Sequence, residues 1–276
     1  MGENRHHAQF ELIAIDVDGT LLDNEGNLSQ GAPQAVKAAI AQGIRIALVT
    51  GRSRSALGFV FNQLEVNGLF IGSGGAYIGD LSTGEIIQQR TLPRQEAETL
   101  IDLCRKWDLI LFLDHFDFML CEKESARTLE HKDKHGYTWN KVADLTKELA
   151  RLPEKGLVVG EPEKLQKIFD YYLEGEHDVS ITFTSPTSMD VLPKGVGKGN
   201  ALIKLADHFT IPMDRIAVIG DYLNDLEMFR VAGYSVAMGN APDEVKAAAN
   251  WIAPANDADG ASVAIRHLIQ LTSEER

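Results

Sequence analysis

The stretch Phe10-Glu11-Leu12-Ile13-Ala14-Ile15-Asp16-Val17-Asp18-Gly19-Thr20-Leu21 decides the fold. It is a compact apolar run that ends abruptly at two aspartates, and the run reads as a buried strand with polar groups at its carboxyl end. Working outward, Asn27-Leu28-Ser29 matches a glycosylation triplet. With no secretion signal in MGENRHHAQF, it reads instead as a turn into a helix over 29–42. Ser29 is the candidate N-cap, Pro33 lies near the first turn and Gly43 stands just past the end. Residues 44–49 are continuously apolar, as in a strand covered on both faces. A helix over 53–64 and a strand over 69–72 follow. Strands separated by helices imply a parallel sheet with right-handed crossovers.

The end of the chain has the same character. Helices are expected over 198–209, 226–232, 243–249 and 261–271, with strands over 216–219, 234–237 and 251–253. Between the halves the segments are longer and more charged, with helices over 95–107 and 162–172 and strands over 109–113 and 179–183. The fold class is therefore α/β: a doubly wound, Rossmann-like core over 10–82 and 189–276, with an α/β cap domain inserted over 83–188.

In an open parallel sheet, ligands gather at the carboxyl ends of the strands. Polar clusters stand at such ends here: Asp16-Val17-Asp18-Gly19-Thr20, Thr50-Gly51-Arg52, Gly220-Asp221 and Asn224-Asp225. An EF-hand reading of the first fails, because Thr20 and Leu21 stand where it needs Asp or Asn and then Gly. Singly, each cluster has a plain structural reading. Asp-Gly and Thr50-Gly51 are turns, Lys198 is a solvated lysine opening a helix, and Asp225 favours a helix dipole. Jointly, at successive strand ends, they point to a site.

Asp16-Val17-Asp18-Gly19-Thr20-Leu21 resembles the first signature of the haloacid dehalogenase-like superfamily. Thr50-Gly51-Arg52 resembles its second, Lys198 its third and Gly220-Asp221-Tyr222-Leu223-Asn224-Asp225 its fourth. The insertion after the second signature, with Lys194-Gly195-Val196-Gly197-Lys198-Gly199 and Val236-Ala237-Met238-Gly239-Asn240-Ala241, is similar to the Cof-like, class IIB branch. That resemblance implies Asp16 as nucleophile and Asp18 as acid/base. It implies Mg2+ held by Asp16, the Asp18 carbonyl and Asp221, with Asp225 behind them. Val17 and Gly51 amides and the Thr50 hydroxyl would hold phosphate, with Lys198 and Asn224 beside it. Arg52 either binds phosphate or pairs with an acidic neighbour. The branch usually has Asn-Gly near Gly74-Gly75, and Tyr222 replaces a smaller residue.

The expected activity is phosphomonoester hydrolysis of a small phosphorylated metabolite, sugar phosphates first, with pyridoxal or flavin phosphates also open. A phosphomutase and a catalytically silent phospholigand-binding protein are the alternatives. A phosphoprotein phosphatase is disfavoured, since an inserted cap excludes large substrates.

Bulk properties agree. The 276 residues exceed one ordinary core, and 44% hydrophobic with 24% charged residues suits a cytoplasmic globular enzyme. A net charge of −13 disfavours nucleic acid and means that a phosphate needs a local cation. No apolar run reaches membrane-spanning length, and Cys104 and Cys121 form neither a disulfide framework nor a zinc motif. Apolar cap surface and apolar interface read alike, so the sequence sets no oligomeric state. His131 and His135 have a spacing open to metal but, with no third ligand nearby, read as a surface pair; Gly72-Ser73-Gly74-Gly75 is no P-loop; and Asp114-His115-Phe116-Asp117 reads as a solvated loop by default, with substrate contact as the alternative.

Overall fold

A computed structural model describes residues 10–126, 128–130 and 137–273. Strand β1 (Leu12–Asp16) lies at the centre of the larger of two sheets. Its alternate residues enter separate cores. Ile13 and Ile15 pack on one face, while Leu12 and Ala14 pack on the other. Side chains alternate along a strand, so a strand covered on both faces must be apolar at every position.

The large sheet runs β14 (Trp251–Ile252), β13 (Tyr234–Ala237), β12 (Ile216–Gly220), β1, β2 (Arg45–Val49), β3 (Leu69–Gly72), β4 (Tyr77–Asp80), β5 (Glu85–Gln89). Pairing is parallel from β14 through β3. From β1 the chain steps out to β2 and β3, then returns at β12 on the opposite side of β1. The order reverses there, which opens a crevice above the carboxyl ends of β1 and β12. Helices α1 (Ala32–Ala41), α2 (Arg54–Leu64) and α8 (Gly260–Ser273) cover one face through Val36, Phe61 and Ile265. Helices α5 (Lys198–Phe209), α6 (Leu226–Val231) and α7 (Asp243–Ala247) cover the other through Leu202, Phe229 and Val245.

Two features of this half differ from the sequence reading. Helix α1 starts at Ala32, and Ser29 is not its cap. The Ser29 hydroxyl donates to Asp259 Oδ1, and the Gly31 N–H donates to the same oxygen at 2.8 Å. A carboxylate from the turn before α8 thus accepts from the entry to α1, and a charged acceptor is the stronger partner. The parallel sheet also continues into an antiparallel edge, β4 and β5. Their turn is closed by Ser82 N–H donating to Asp80 Oδ1 at 2.7 Å.

The smaller sheet has the order β10 (Val179–Ser185), β11 (Ser188–Pro193), β9 (Lys155–Val159), β6 (Ile110–His115), β7 (Phe118–Cys121), β8 (Trp139–Lys141). One face packs on α3 (Arg94–Lys106) and α4 (Pro162–Leu173) through Leu100, Leu113, Val158 and Ile168. The opposite face carries Phe112, Met119, Cys121 and Trp139. Strand pairing divides the chain differently from the boundaries at 82/83 and 188/189. Strand β5 hydrogen-bonds into the large sheet, and the whole of β11 belongs to the small one. Among the described residues no helix is long and apolar enough to cross a membrane. His131 and His135 lie outside the described residues.

Candidate active site

Asp16 ends β1, Lys198 opens α5, Asp221 follows β12, and Asp225 closes the turn Leu223–Asp225. Lys198 Nζ donates to Asp16 Oδ1 and to Asp225 Oδ1, both at 2.6 Å. All three side chains are buried. Burial works against the Lys198 ammonium, but Asp16 and Asp225 outweigh it and hold its pKa above the ordinary value. Burial pushes Asp16 well above the carboxylate range; Lys198 opposes this, while Asp225 and Asp221 add to it. Burial, then Asp225, pushes Asp221 up to about 7. Three carboxylates therefore face one ammonium, and negative charge is in excess.

Carboxylate oxygens of Asp16, Asp221 and Asp225 lie within 4.8 Å of one another, close enough for a single cation to reach. An excess of buried, hard oxygen donors is the chemistry a divalent ion such as Mg2+ requires, so the residues fit the expected group. Their commitments differ. Asp225 Oδ1 is held by Lys198, and its Oδ2 accepts from the N–H groups of Asp221 at 2.9 Å and Tyr222 at 3.1 Å. That leaves Asp225 behind the site and turns Asp16 and Asp221 toward it. Gly19 is needed for the approach: its φ is +82°, and a Cβ there would strike the Asp221 carboxylate.

Asp18 is more exposed and engages a different partner. Arg52, fully buried, donates from Nε to Asp18 Oδ2 at 2.9 Å and from Nη2 to Oδ1 at 2.6 Å. Of the two readings of Arg52, the geometry shows the acidic pair. The Thr50 hydroxyl lies 3.5 Å from Asp18 Oδ2, and Thr50, Gly51, Tyr222 and Asn224 line the same cavity as Asp16 and Asp221. The Val17 side chain packs in the core between the two aspartates of the motif.

The cavity encloses about 430 Å³ and spans both sheets. Three contributors escaped the sequence reading. Thr20 donates to Asp221 Oδ1 at 3.1 Å, and Asn240 Nδ2 donates to the Gly19 carbonyl at 2.9 Å and to Asp221 Oδ2 at 3.3 Å. Both stand inside quoted motifs, so motif membership was the available signal. The third is a buried ion pair of the small sheet. Lys155 Nζ donates to Asp190 Oδ1 at 2.9 Å and Oδ2 at 2.8 Å. It lies over the loop that follows β2, because a Cβ on Gly51 would sit 3.3 Å from Asp190 Oδ2 and 3.4 Å from Lys155 Nζ.

Asp114 and His115 do not form a solvated loop. They end β6, fully buried, with the Ser73 hydroxyl donating to Asp114 Oδ2 at 2.8 Å across the two sheets. Burial pushes Asp114 up to about 7 and His115 down to about 4. At Gly74, φ is +67°, and Leu192 occupies the space a side chain would enter, at 3.2 Å from a Cβ.

A family model described as haloacid dehalogenase-like hydrolase matches residues 13–265. The Bacillus subtilis 5-amino-6-(5-phospho-D-ribitylamino)uracil phosphatase YcsE is 27% identical, with 98% of this chain and 100% of the relative covered. A second B. subtilis protein with that activity name, YwtE, is 29% identical, covering 94% and 98%. A haloacid dehalogenase-like hydrolase from Bacteroides thetaiotaomicron superposes with a TM-score of 0.84 at 25% identity, covering 94% of this chain and 99% of the other.

Proposed function

The chain belongs to the haloacid dehalogenase-like hydrolase family, and from that premise we propose that it is a magnesium-dependent phosphatase of small phosphorylated metabolites. The observation that carries the reading is the meeting of Asp16, Lys198, Asp221 and Asp225 at the carboxyl ends of β1 and β12. Phosphatase relatives covering nearly the whole chain support the reaction class.

In the proposed reaction Asp16 Oδ2 attacks phosphorus while the bond from phosphorus to the alcohol oxygen breaks. Asp18 gives that oxygen its proton, so a neutral alcohol leaves and an aspartyl-phosphate remains. Asp18 then takes a proton from water as the water oxygen attacks phosphorus. The bond to Asp16 breaks, inorganic phosphate leaves, and both carboxyl groups return to their starting states. Lys198 stabilises charge on the transferring group and keeps Asp16 Oδ1 engaged, which leaves Oδ2 to attack. The Thr50 hydroxyl and the Val17 and Gly51 N–H groups hold phosphoryl oxygens, with Asn224 beside them. Arg52 positions the Asp18 carboxyl through its paired donors.

Mg2+ would be held by Asp16, Asp221 and the Asp18 carbonyl, and when bound it offsets the repulsion between the attacking carboxylate and the phosphate dianion. The small-sheet unit acts as a cap, since its residues roof the cavity above Asp16. Substrates are small for the same reason, sugar phosphates and ring-bearing phosphates such as those named for the relatives among them.

The test is a panel of phosphorylated metabolites with Mg2+. Release of inorganic phosphate that ceases on chelation supports the reading; isomer formation from a hexose phosphate without release would overturn it. A binding readout accompanies it. Mg2+ is expected to raise Tm, because it binds only the folded carboxylate cluster. Asp221→Asn is expected to remove most of that rise, and a full rise in this variant would exclude Asp221 as a ligand.

A further inference from the structure

Arg52 carries a long side chain with many rotamers, yet it is fully buried. Three sets of contacts hold it. Its root is fixed by the large-sheet half: the Arg52 N–H donates to Thr50 Oγ1 at 3.1 Å, and the Arg52 carbonyl accepts from the Ser73 N–H at 2.8 Å. Its fork is fixed by Asp18, through Nε to Oδ2 at 2.9 Å and Nη2 to Oδ1 at 2.6 Å. Its face meets the other sheet. The guanidinium carbon lies 5.1 Å from the ring centroid of Tyr137, within the range of a cation–π contact.

The register of the small sheet puts Tyr137 there. The Thr138 carbonyl accepts from the Met119 N–H at 3.4 Å, and Trp139 pairs with Met119 in the parallel β7–β8 ladder. Trp139 is fixed in turn by its Nε1–H donating to Glu124 Oε1 at 2.7 Å. The Tyr137 ring packs against the cluster of Phe112, Met119, Cys121 and Trp139. The ring is thus anchored in one sheet and the guanidinium in the other. The contacts also differ in what they restrain. A two-point fork aligns guanidinium and carboxylate in one plane but leaves that plane free to tilt. The Asp18 side chain is 44% exposed, so it can follow the tilt. A ring against the face of the guanidinium opposes that motion, and its π face is a favourable partner for a buried cation.

We propose that Tyr137 is a positioning residue of the reaction: its ring holds the Arg52 guanidinium in the plane that aims the Asp18 carboxyl for proton transfer. The inference rests on the phosphatase reading, with Asp18 as the acid/base. Tyr137 acts through Arg52 on the proton, not on the phosphate or the alcohol, and this gives it a signature of its own. In the first half-reaction the bond from phosphorus to the ester oxygen breaks while Asp18 supplies that oxygen with a proton. A weakly basic leaving group departs without the proton, whereas a strongly basic one needs it. A misaimed Asp18 therefore penalises esters in proportion to the basicity of the group that leaves.

Phenyl, 4-nitrophenyl and 2,4-dinitrophenyl phosphate test it, because their leaving groups fall in basicity in that order while the ring stays the same. The readout is kcat/KM with Mg2+, which covers the steps up to loss of the phenol. Tyr137→Leu is expected to lower it by about tenfold or more for phenyl phosphate and by no more than about threefold for the dinitrophenyl ester. Tyr137→Phe, which keeps the ring face, is expected to restore the wild-type dependence. No loss, an equal loss across the series, as a structural or substrate-contact role would give, or the full loss in Tyr137→Phe would overturn the proposal. Thermal unfolding reads the contact without turnover. The Tm shifts of Tyr137→Leu and Arg52→Met are expected to be non-additive in the double variant, and additive shifts would overturn the proposal whatever the kinetics. Failure of the phosphatase reading looks different: the shifts are non-additive while wild-type protein releases phosphate from no compound.

Discussion

Asp16→Asn protein is expected to release phosphate at least about 10⁴-fold more slowly than wild type, the scale on which loss of a nucleophile is felt. An amide cannot form the phosphoryl-enzyme, and the neighbouring carboxylates are engaged elsewhere, Asp221 by Thr20 and Asn240. Asp225 is held by Lys198 and by two backbone N–H groups. Asp18 is paired with Arg52. Folding is expected to survive, and the direction of the stability change separates loss of chemistry from loss of structure. Burial raises the Asp16 pKa, so its ionisation disfavours the folded state above the ordinary carboxylate range and is harmless below it. A neutral amide removes that penalty near pH 7. In metal-free buffer the variant should therefore melt at or above the wild-type temperature, with inactivity intact. Mass spectrometry of acid-quenched turnover mixtures supplies the second readout, with a phosphoryl adduct in wild type and none in the variant. Turnover near the wild-type rate would sink the mechanism.

The central strands were legible because their physics is local. Leu12 to Ile15 must be apolar at every position to serve two cores, and this shows as an unbroken run. The long amphipathic helices, α3 and α4 among them, were legible for the same reason. The antiparallel edge was not. Strand β5, Glu85–Gln89, is polar and largely exposed, and its membership of the large sheet depends on a hairpin rather than on a pattern of its own. The entry to α1 failed differently. Ser29 looks like a cap locally, and a carboxylate 230 residues away takes its hydroxyl.

The site divides along the same line. Asp16, Thr50, Lys198 and Asp221 stand at the ends of recognisable strands or at the start of a helix, so local pattern placed them together. The Asp18–Arg52 pair was one of two open readings, and geometry selected it. Lys155 and Asp190 carry no local mark. One sits on β9 and the other on β11, and only the antiparallel register of the small sheet sets them side by side over Gly51. Residues that meet through register alone are invisible to motif reading, and the cap is built mostly of such residues. This is why the cluster at the strand ends could be read from sequence while the cap side of the cavity could not.

Lys198→Met is expected to lower both stability and turnover, and a second substitution can tell the two apart. Removing the ammonium leaves Asp16 and Asp225 buried and facing each other without compensation. Breaking a buried pair in this way costs about 3–5 kcal/mol, and the remaining charges would push the Asp16 pKa higher still, depleting the nucleophilic carboxylate near neutral pH. Lys198→Met/Asp225→Asn removes one of those carboxylate charges together with the ammonium. It is expected to recover part of the lost Tm, because the repulsion behind Asp16 is gone. Turnover is expected to stay about 10²–10³-fold below wild type, the usual loss when a charge-stabilising group leaves a transition state. If the double variant instead regained wild-type kcat, Lys198 would be a structural counterion only. A loss confined to KM would likewise assign it to ground-state phosphate binding. A fall in kcat that persists after stability returns is the result the geometry predicts, since the ammonium lies 2.6 Å from the oxygen beside the attacking one.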